Sequence, residues 1–169
     1  MFTMQQATPA DLERVYAILA EAARWIASQG IDQWTHYLTG EVPEDLAPAI
    51  ADGEVYLLWQ DGQPVATISL QMAPSDWDRT IWGEAADQPA AYVHRLAVVR
   101  SAAGTRAGEF MLDWAEQQAR AAGKRELRLD CVGQNERLNA YYQKRFAFVG
   151  AAEQIGMTFN AYAQRLGNA

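Results

Sequence analysis

The sequence predicts an α/β fold with a mixed sheet and helices on both of its faces. Three observations carry that expectation. Strand and helix patterns alternate from Ala90 to Val149, a hairpin pattern spans Glu54 to Met72, and a long amphipathic pattern lies near the N-terminus. No internal repeat, low-complexity segment or Pro/Gly/Ser linker interrupts the 169 residues, so residues 1–169 are expected to form one domain.

Phe2 to Ala7 reads as a first strand, ended by Thr8-Pro9. Thr8 is a helix N-cap, with Asp11 completing an acidic variant of the capping box. Leu12, Val15, Tyr16, Leu19, Ala22, Ala23 and Ile26 then recur at helical spacing until Gly30. Ile31 to Gly40 is expected to be a loop or broken helix, and a second, short helix to run from near Pro43 through Leu46 and Ile50 to Asp52-Gly53. Two apolar runs flank Asp61-Gly62, the signal of a tight hairpin turn. Ala73 to Pro89 holds Pro74, Gly83 and Pro89 and is read as the longest irregular segment.

A strand is predicted from Ala90 to Val99, then a turn from Arg100 to Arg106. The next helix, Ala107 to Ala122, carries Phe110, Met111, Trp114, Ala115 and Ala119 on one face and stops at Gly123. Glu126 to Val132 is a strand, and a helix follows from Asn135 to about Lys144. Phe146 to Val149 and Ile155 to Arg165 supply the last strands.

Composition narrows the function. Half of the residues are hydrophobic and 21% are charged, enough to bury a full core. The net charge of −7 argues against binding a nucleic-acid backbone, which needs clustered Lys and Arg. There is no apolar stretch of membrane-spanning length, and the N-terminus lacks a basic region followed by an apolar run; a cytoplasmic protein with no membrane partner is expected. Cys131 is the sole cysteine, set in an alternating strand, and reads as core packing. His36 and His94 have no metal-ligand spacing around them, so no metal is expected.

The order of elements, the LAVV strand leading through a Gly-bearing turn into a helix, and the later NERLNAYY helix resemble the GCN5-related N-acetyltransferase superfamily. The resemblance covers essentially the whole chain and is sharpest from Tyr92 to Val149. It implies a mostly antiparallel sheet of six to seven strands with strands 4 and 5 splayed apart, flanked by four helices. It implies acetyl-CoA as cofactor and a small-molecule amine as acceptor.

In the family a turn of pattern Q/R-x-x-G-x-G/A holds the cofactor pyrophosphate through backbone amides. The matching residues are Ala103, Gly104, Thr105, Arg106, Ala107 and Gly108, with Glu109 next in the helix. Ala103 stands where the family has Gln or Arg, and Arg106 where it has its first glycine. The resemblance assigns Leu96, Ala97 and Val98 to the pantetheine arm, Asn135 to the cofactor, and Tyr142 to the space beside the thioester sulfur. Asn135 and Tyr142 lie seven residues apart, two helical turns, and can share a face; Asn135 also reads as a simple N-cap. The family commonly has Gly-Phe after this tyrosine, where this chain has RFAF.

The implied chemistry is attack of an amine on the thioester. The amide near Val98 would stabilise the oxyanion, and Tyr142 would protonate the departing thiolate. Asp130, His94, Glu84 and Asp87 are the candidate bases. The acceptor pocket is expected from the first two helices, their loop and the loop before the fourth strand. That places Trp25, Trp34, Tyr37, Trp77, Trp82, His94 and Asp130 as acceptor-binding candidates, some of the tryptophans being core instead. The alternative is a catalytically impaired member that binds acyl-CoA or a ligand as a sensor. A homodimer is a further possibility that the sequence leaves open.

Overall fold

The computed structural model describes residues 1–167. The described residues form seven strands and five α-helices, in the strand order β1-β2-β3-β4-β5-β7-β6. The strands are β1 (Phe2–Gln6), β2 (Val55–Gln60), β3 (Gln63–Gln71), β4 (Ala90–Val98), β5 (Glu126–Val132), β6 (Ala147–Gln154) and β7 (Met157–Arg165). The helices are α1 (Leu12–Ser28), α2 (Leu46–Ala51), α3 (Asp76–Trp82), α4 (Ala107–Ala121) and α5 (Glu136–Gln143). The sheet is mostly antiparallel, with β4 and β5 parallel. Among the described residues, no helix is long and apolar enough to cross a membrane.

Contacts divide the chain into two compact units. The first comprises Met1–Leu70 and His94–Trp114, the second Gln71–Val93 and the chain from Ala115 onward. In the first unit Thr8 starts a 3-10 turn, Pro9–Asp11, through the predicted capping box, and the turn feeds α1. The inward stripe of α1, Val15, Ile18, Leu19, Ala22 and Ala23, packs on Leu46, Ile50, Val55 and Leu57. Asp61 and Gly62 both take positive φ, 52° and 77°, as a two-residue hairpin turn between β2 and β3 requires. Helix α2 begins at Leu46 rather than near Pro43.

In the second unit β5 pairs along its whole length with β7, and β7 pairs with β6. The β4–β5 ladder covers three positions only, Ala90↔Glu126, Ala91↔Leu127 and Tyr92↔Arg128. Past Tyr92 this ladder has ended, although β4 continues for six residues to Val98.

Four expectations need correction. The segment read as irregular, Ala73 to Pro89, contains helix α3 and a 3-10 turn, Gly83–Asp87, which raises the helix count from four to five. Ser75 and Asp78 form a second acidic capping box: the Asp78 carboxylate accepts from the Ser75 amide at 2.9 Å, and the Ser75 hydroxyl accepts from the Asp78 amide at 3.2 Å. Ile155, predicted as the start of the last strand, instead forms with Gly156 the tight β6–β7 turn, with φ of 48° and 74°. Phe146 precedes β6 and is buried, and β6 extends to Gln154. Phe110, assigned to the buried face of α4, is 38% exposed and packs on Phe2, ring centroids 5.3 Å apart.

Candidate active site

In the first unit β4 leads into the turn that precedes α4. The Val99 amide donates to Val65 of β3 at 2.9 Å. Because successive residues of an antiparallel strand direct their backbone groups to opposite edges, the amides of Val98 and Leu96 face the other edge of β4. The sequence-predicted pantetheine residues therefore present their backbone to an edge where an extended arm can add as a strand.

A 3-10 turn, Arg100–Ala102, follows. The Arg100 amide donates to Glu21 at 3.0 Å, and its guanidinium stacks 3.8 Å above Trp25, which accounts for one predicted acceptor-site tryptophan by a surface cation–π contact. The amide and hydroxyl of Thr105 both donate to the Ala102 carbonyl, at 3.3 and 2.6 Å. Gly104 and Arg106 both lie in the left-handed region, at φ of 80° and 66°. The Arg106 carbonyl accepts from the Phe110 amide at 3.0 Å, so Arg106 is the residue from which α4 starts. Ala103 to Arg106 are exposed. The first-turn amides of α4, at Ala107, Gly108 and Glu109, have no earlier helical turn to accept from them and mark the positive end of the helix dipole.

The arginine at the glycine position thus keeps a glycine-like torsion, at a cost of ~1–2 kcal/mol for a residue with a β-carbon. Glycine itself gives up ~0.5–1 kcal/mol of unfolded-state entropy. Arg106→Gly is therefore expected to stabilise the fold by about 0.5–1 kcal/mol, raising the melting temperature by a few degrees in a calorimetric scan. A lower melting temperature would mean that the Arg106 side chain supplies more than the strain it imposes.

The second unit holds the other half of the predicted set. Asn135 is 7% exposed and caps α5, its side chain accepting from the Leu138 amide at 3.1 Å. One turn on, Asn139 organises the surroundings. Its amide nitrogen donates to the carbonyls of Val132 at 3.0 Å and Asn135 at 2.8 Å. Its carbonyl oxygen accepts from the Tyr162 hydroxyl at 2.6 Å, Asn160 at 2.9 Å and the Cys131 thiol at 3.3 Å. Asn139 was not singled out from the sequence; its signal was a polar residue four positions after the cap, on the inward face.

Tyr142, three residues beyond Asn139 on that face, is 6% exposed, and its ring packs against Phe146 and Tyr162. Burial, followed by the nearby Cys131, Tyr141 and Asp130, pushes its phenol far above the ordinary tyrosine range. It stays protonated at any working pH.

Burial and the Asp130 charge push the Cys131 thiol up to about 12 from 9.0, so it is no nucleophile near neutrality. The folded state holds this proton more tightly than the unfolded chain. Its stabilising share is therefore complete below about pH 9 and is lost as pH rises toward 12. Urea unfolding measured from pH 8.5 to 11 is expected to fall more shallowly for Cys131→Ala than for the wild type. Parallel curves would show that the thiol titrates alike in both states.

Each remaining candidate belongs to one unit or the other. In the second, the Trp77 indole donates to both Asp130 oxygens, at 3.3 and 3.2 Å, and stands edge-on to Phe159 at 4.8 Å. Trp82 lies in a core cluster with Tyr92, Ala161 and Ala163, covered by the Arg128 guanidinium at 4.4 Å. Glu84 and Asp87 are exposed, and Asp87 pairs with Arg79 at 3.2 Å. In the first unit, Trp34 and the buried Tyr37 meet edge-on at 5.8 Å, and half-buried His94 lies on β4 next to Arg95.

The profile of the acetyltransferase (GNAT) family matches residues 13–148. The uncharacterized N-acetyltransferase YesJ of Bacillus subtilis (strain 168) is 36% identical over 142 residues, covering 83% of this chain and 79% of YesJ. The crystal structure of a GNAT-family acetyltransferase from Listeria monocytogenes 4b F2365 superposes with a TM-score of 0.81 at 30% identity, covering 98% of this chain and 95% of that one. PaiA N-acetyltransferase from Thermoplasma acidophilum, crystallised in complex with coenzyme A, shares the fold with a TM-score of 0.72 at 15% identity, covering 98% and 99% of the two chains.

Proposed function

The chain belongs to the acetyltransferase (GNAT) family, and from that premise we propose that it moves the acetyl group of acetyl-CoA to a primary amine of a small molecule by direct attack within a ternary complex. The observation that carries the reading is the exposed turn before α4, where Gly104 and Arg106 both hold left-handed torsions. That torsion at residue 106 answers the main departure from the family pattern. The amides of Ala107, Gly108 and Glu109 are then available to a diphosphate at the helix N-terminus, and Arg106 adds a cation beside it.

The pantetheine arm would lie along Leu96 to Val98, hydrogen-bonded as an added strand. The amine attacks the thioester carbon, the carbonyl oxygen gains negative charge, and the Val98 amide stabilises it. The C–S bond would break as the carbonyl re-forms, Tyr142 would give its phenolic proton to the coenzyme A thiolate, and the second proton shed by the newly acylated nitrogen would restore the phenol. Asp130 is one acceptor for the ammonium proton, its oxygens being held by Trp77. Asn135 caps α5 and would contact the cofactor from there.

Calorimetric titration with acetyl-CoA tests the reading, with a dissociation constant expected below about 100 μM, within the usual span for enzyme substrates. No heat at several hundred micromolar ligand would overturn it. A thiol-release screen against amines then separates catalysis from a sensor role: binding without turnover on any amine would assign the chain to the latter.

A further inference from the structure

Arg95, in the middle of β4, is a half-buried cation that the scheme above does not use. Its side chain is only 15% exposed. The backbone at Arg95 has a φ of 50°, the left-handed region, in the interior of a strand, a conformation that costs a residue with a β-carbon ~1–2 kcal/mol. Its guanidinium donates to the Asp45 carboxylate at 2.6 Å and to the Ser69 hydroxyl at 3.3 Å, and lies against the Tyr37 phenol. Ser69 and Tyr37 are buried, at 0% and 2% exposure, and form a fixed wall. Asp45 differs: its side chain is 66% exposed.

Asp45 also occupies the N-cap position of α2 but makes no capping hydrogen bond. An aspartate there ordinarily accepts from the amides of the first turn. This one reaches Arg95 instead; with Pro48 at the third helical position lacking an N–H, the Ala47 amide is the capping donor beside it. Removing Asp45 alone would leave a desolvated guanidinium without its counter-charge, which is costly. Exchanging it for another carboxylate keeps the charge-assisted bonds and frees Asp45 for water and the Ala47 amide.

We propose that Arg95 binds a carboxylate on the acceptor, that this carboxylate takes the place of Asp45, and that the substrates are therefore amines that also carry a carboxylate, of the amino-acid class. The inference rests on the acetyl transfer proposed above and names its acceptor. Arg95 lies three residues from Val98, about 10 Å along an extended strand, a span that a small amino acid bridges only because the long Arg95 side chain covers part of it. The five donors of a guanidinium suit a carboxylate held in fork geometry against the Ser69 and Tyr37 wall.

The test pairs acids with their neutral counterparts. With 1 mM coenzyme A present, N-acetyl amino acids and their carboxamides are titrated calorimetrically into the wild type, Arg95→Gln, Arg95→Lys and Asp45→Asn. The corresponding free amino acids and amides are run in the thiol-release assay. Acids are expected to bind at least tenfold more tightly than amides in the wild type. The gap should close in Arg95→Gln, shrink severalfold in Arg95→Lys, and widen severalfold in Asp45→Asn, where the internal competitor has lost its charge. Should Arg95→Gln not fold, Arg95→Lys carries the comparison. Equal binding of acid and amide, or a preference that survives in both Arg95 variants, overturns the proposal. Acetylation of amines with no preference for a carboxylate refutes this inference and leaves acetyl transfer standing. Arg95-dependent binding of acids without acetyl transfer does the reverse.

Discussion

Replacing Tyr142 with phenylalanine is expected to lower kcat by about 10²-fold or more, the range in which a positioned general acid contributes. The affinity for acetyl-CoA should stay within a factor of about two, because the substitution removes one hydroxyl and keeps the ring that packs on Phe146 and Tyr162. The reasoning depends on protonation. A phenol driven well above its ordinary range by burial keeps its proton near neutrality, so in the mechanism proposed above the proton is present when the thiolate departs, while the same shift lowers the driving force for its transfer. It also follows that Tyr142 contributes no falling alkaline limb to the pH–rate profile below about pH 10, the ordinary tyrosine value. Single-turnover kinetics check the first point, and a wild-type rate in the Phe variant removes Tyr142 from the acid role.

Arg128→Ala is expected to cost about 3–5 kcal/mol of unfolding free energy in chemical denaturation, the range for breaking a buried ion pair from one side. Arg128 is 1% exposed. Its guanidinium donates to Glu126 at 2.7 Å, the Ala85 carbonyl at 2.8 Å, the Tyr92 hydroxyl at 2.9 Å and Gln88 at 3.1 Å, and it covers Trp82. Truncation leaves those acceptors without their donor and opens a cavity beside the indole. Arg128→Met refills much of the volume and should lose less than the alanine variant. A loss below about 1 kcal/mol for Arg128→Ala would show that water replaces the guanidinium freely, as at a surface pair.

Much of the fold was legible because it is written in local terms. The period of α1, the Asp61-Gly62 turn and the stop at Gly123 each depend on neighbours a few residues away, and the structure places all three as read. Helix α3 was equally local, but its Ser75–Asp78 box stood among prolines and glycines that argued for a loop. Arg95 and Arg128 were invisible for a different reason. In sequence each is a charge within a strand, where solvent exposure is the default; only tertiary packing reveals that one faces Asp45 and the other lies over Trp82. Asn139 belongs with them, since its partners Cys131, Asn160 and Tyr162 come from two strands. At the turn before α4 the letters depart from the family pattern, while Gly104 and Arg106 both hold left-handed torsions that no letter announces.

That turn has a consequence for which letters residue 106 accepts. If the ligand is held by main-chain donors, a motif spelled with glycine is shorthand for a dihedral angle, and any side chain able to live at that angle spells the same word. Saturation of residue 106 should rank glycine and asparagine above arginine for folding, and place valine, isoleucine and threonine last. Searches for such turns by torsion would then retrieve chains that searches by alphabet pass over.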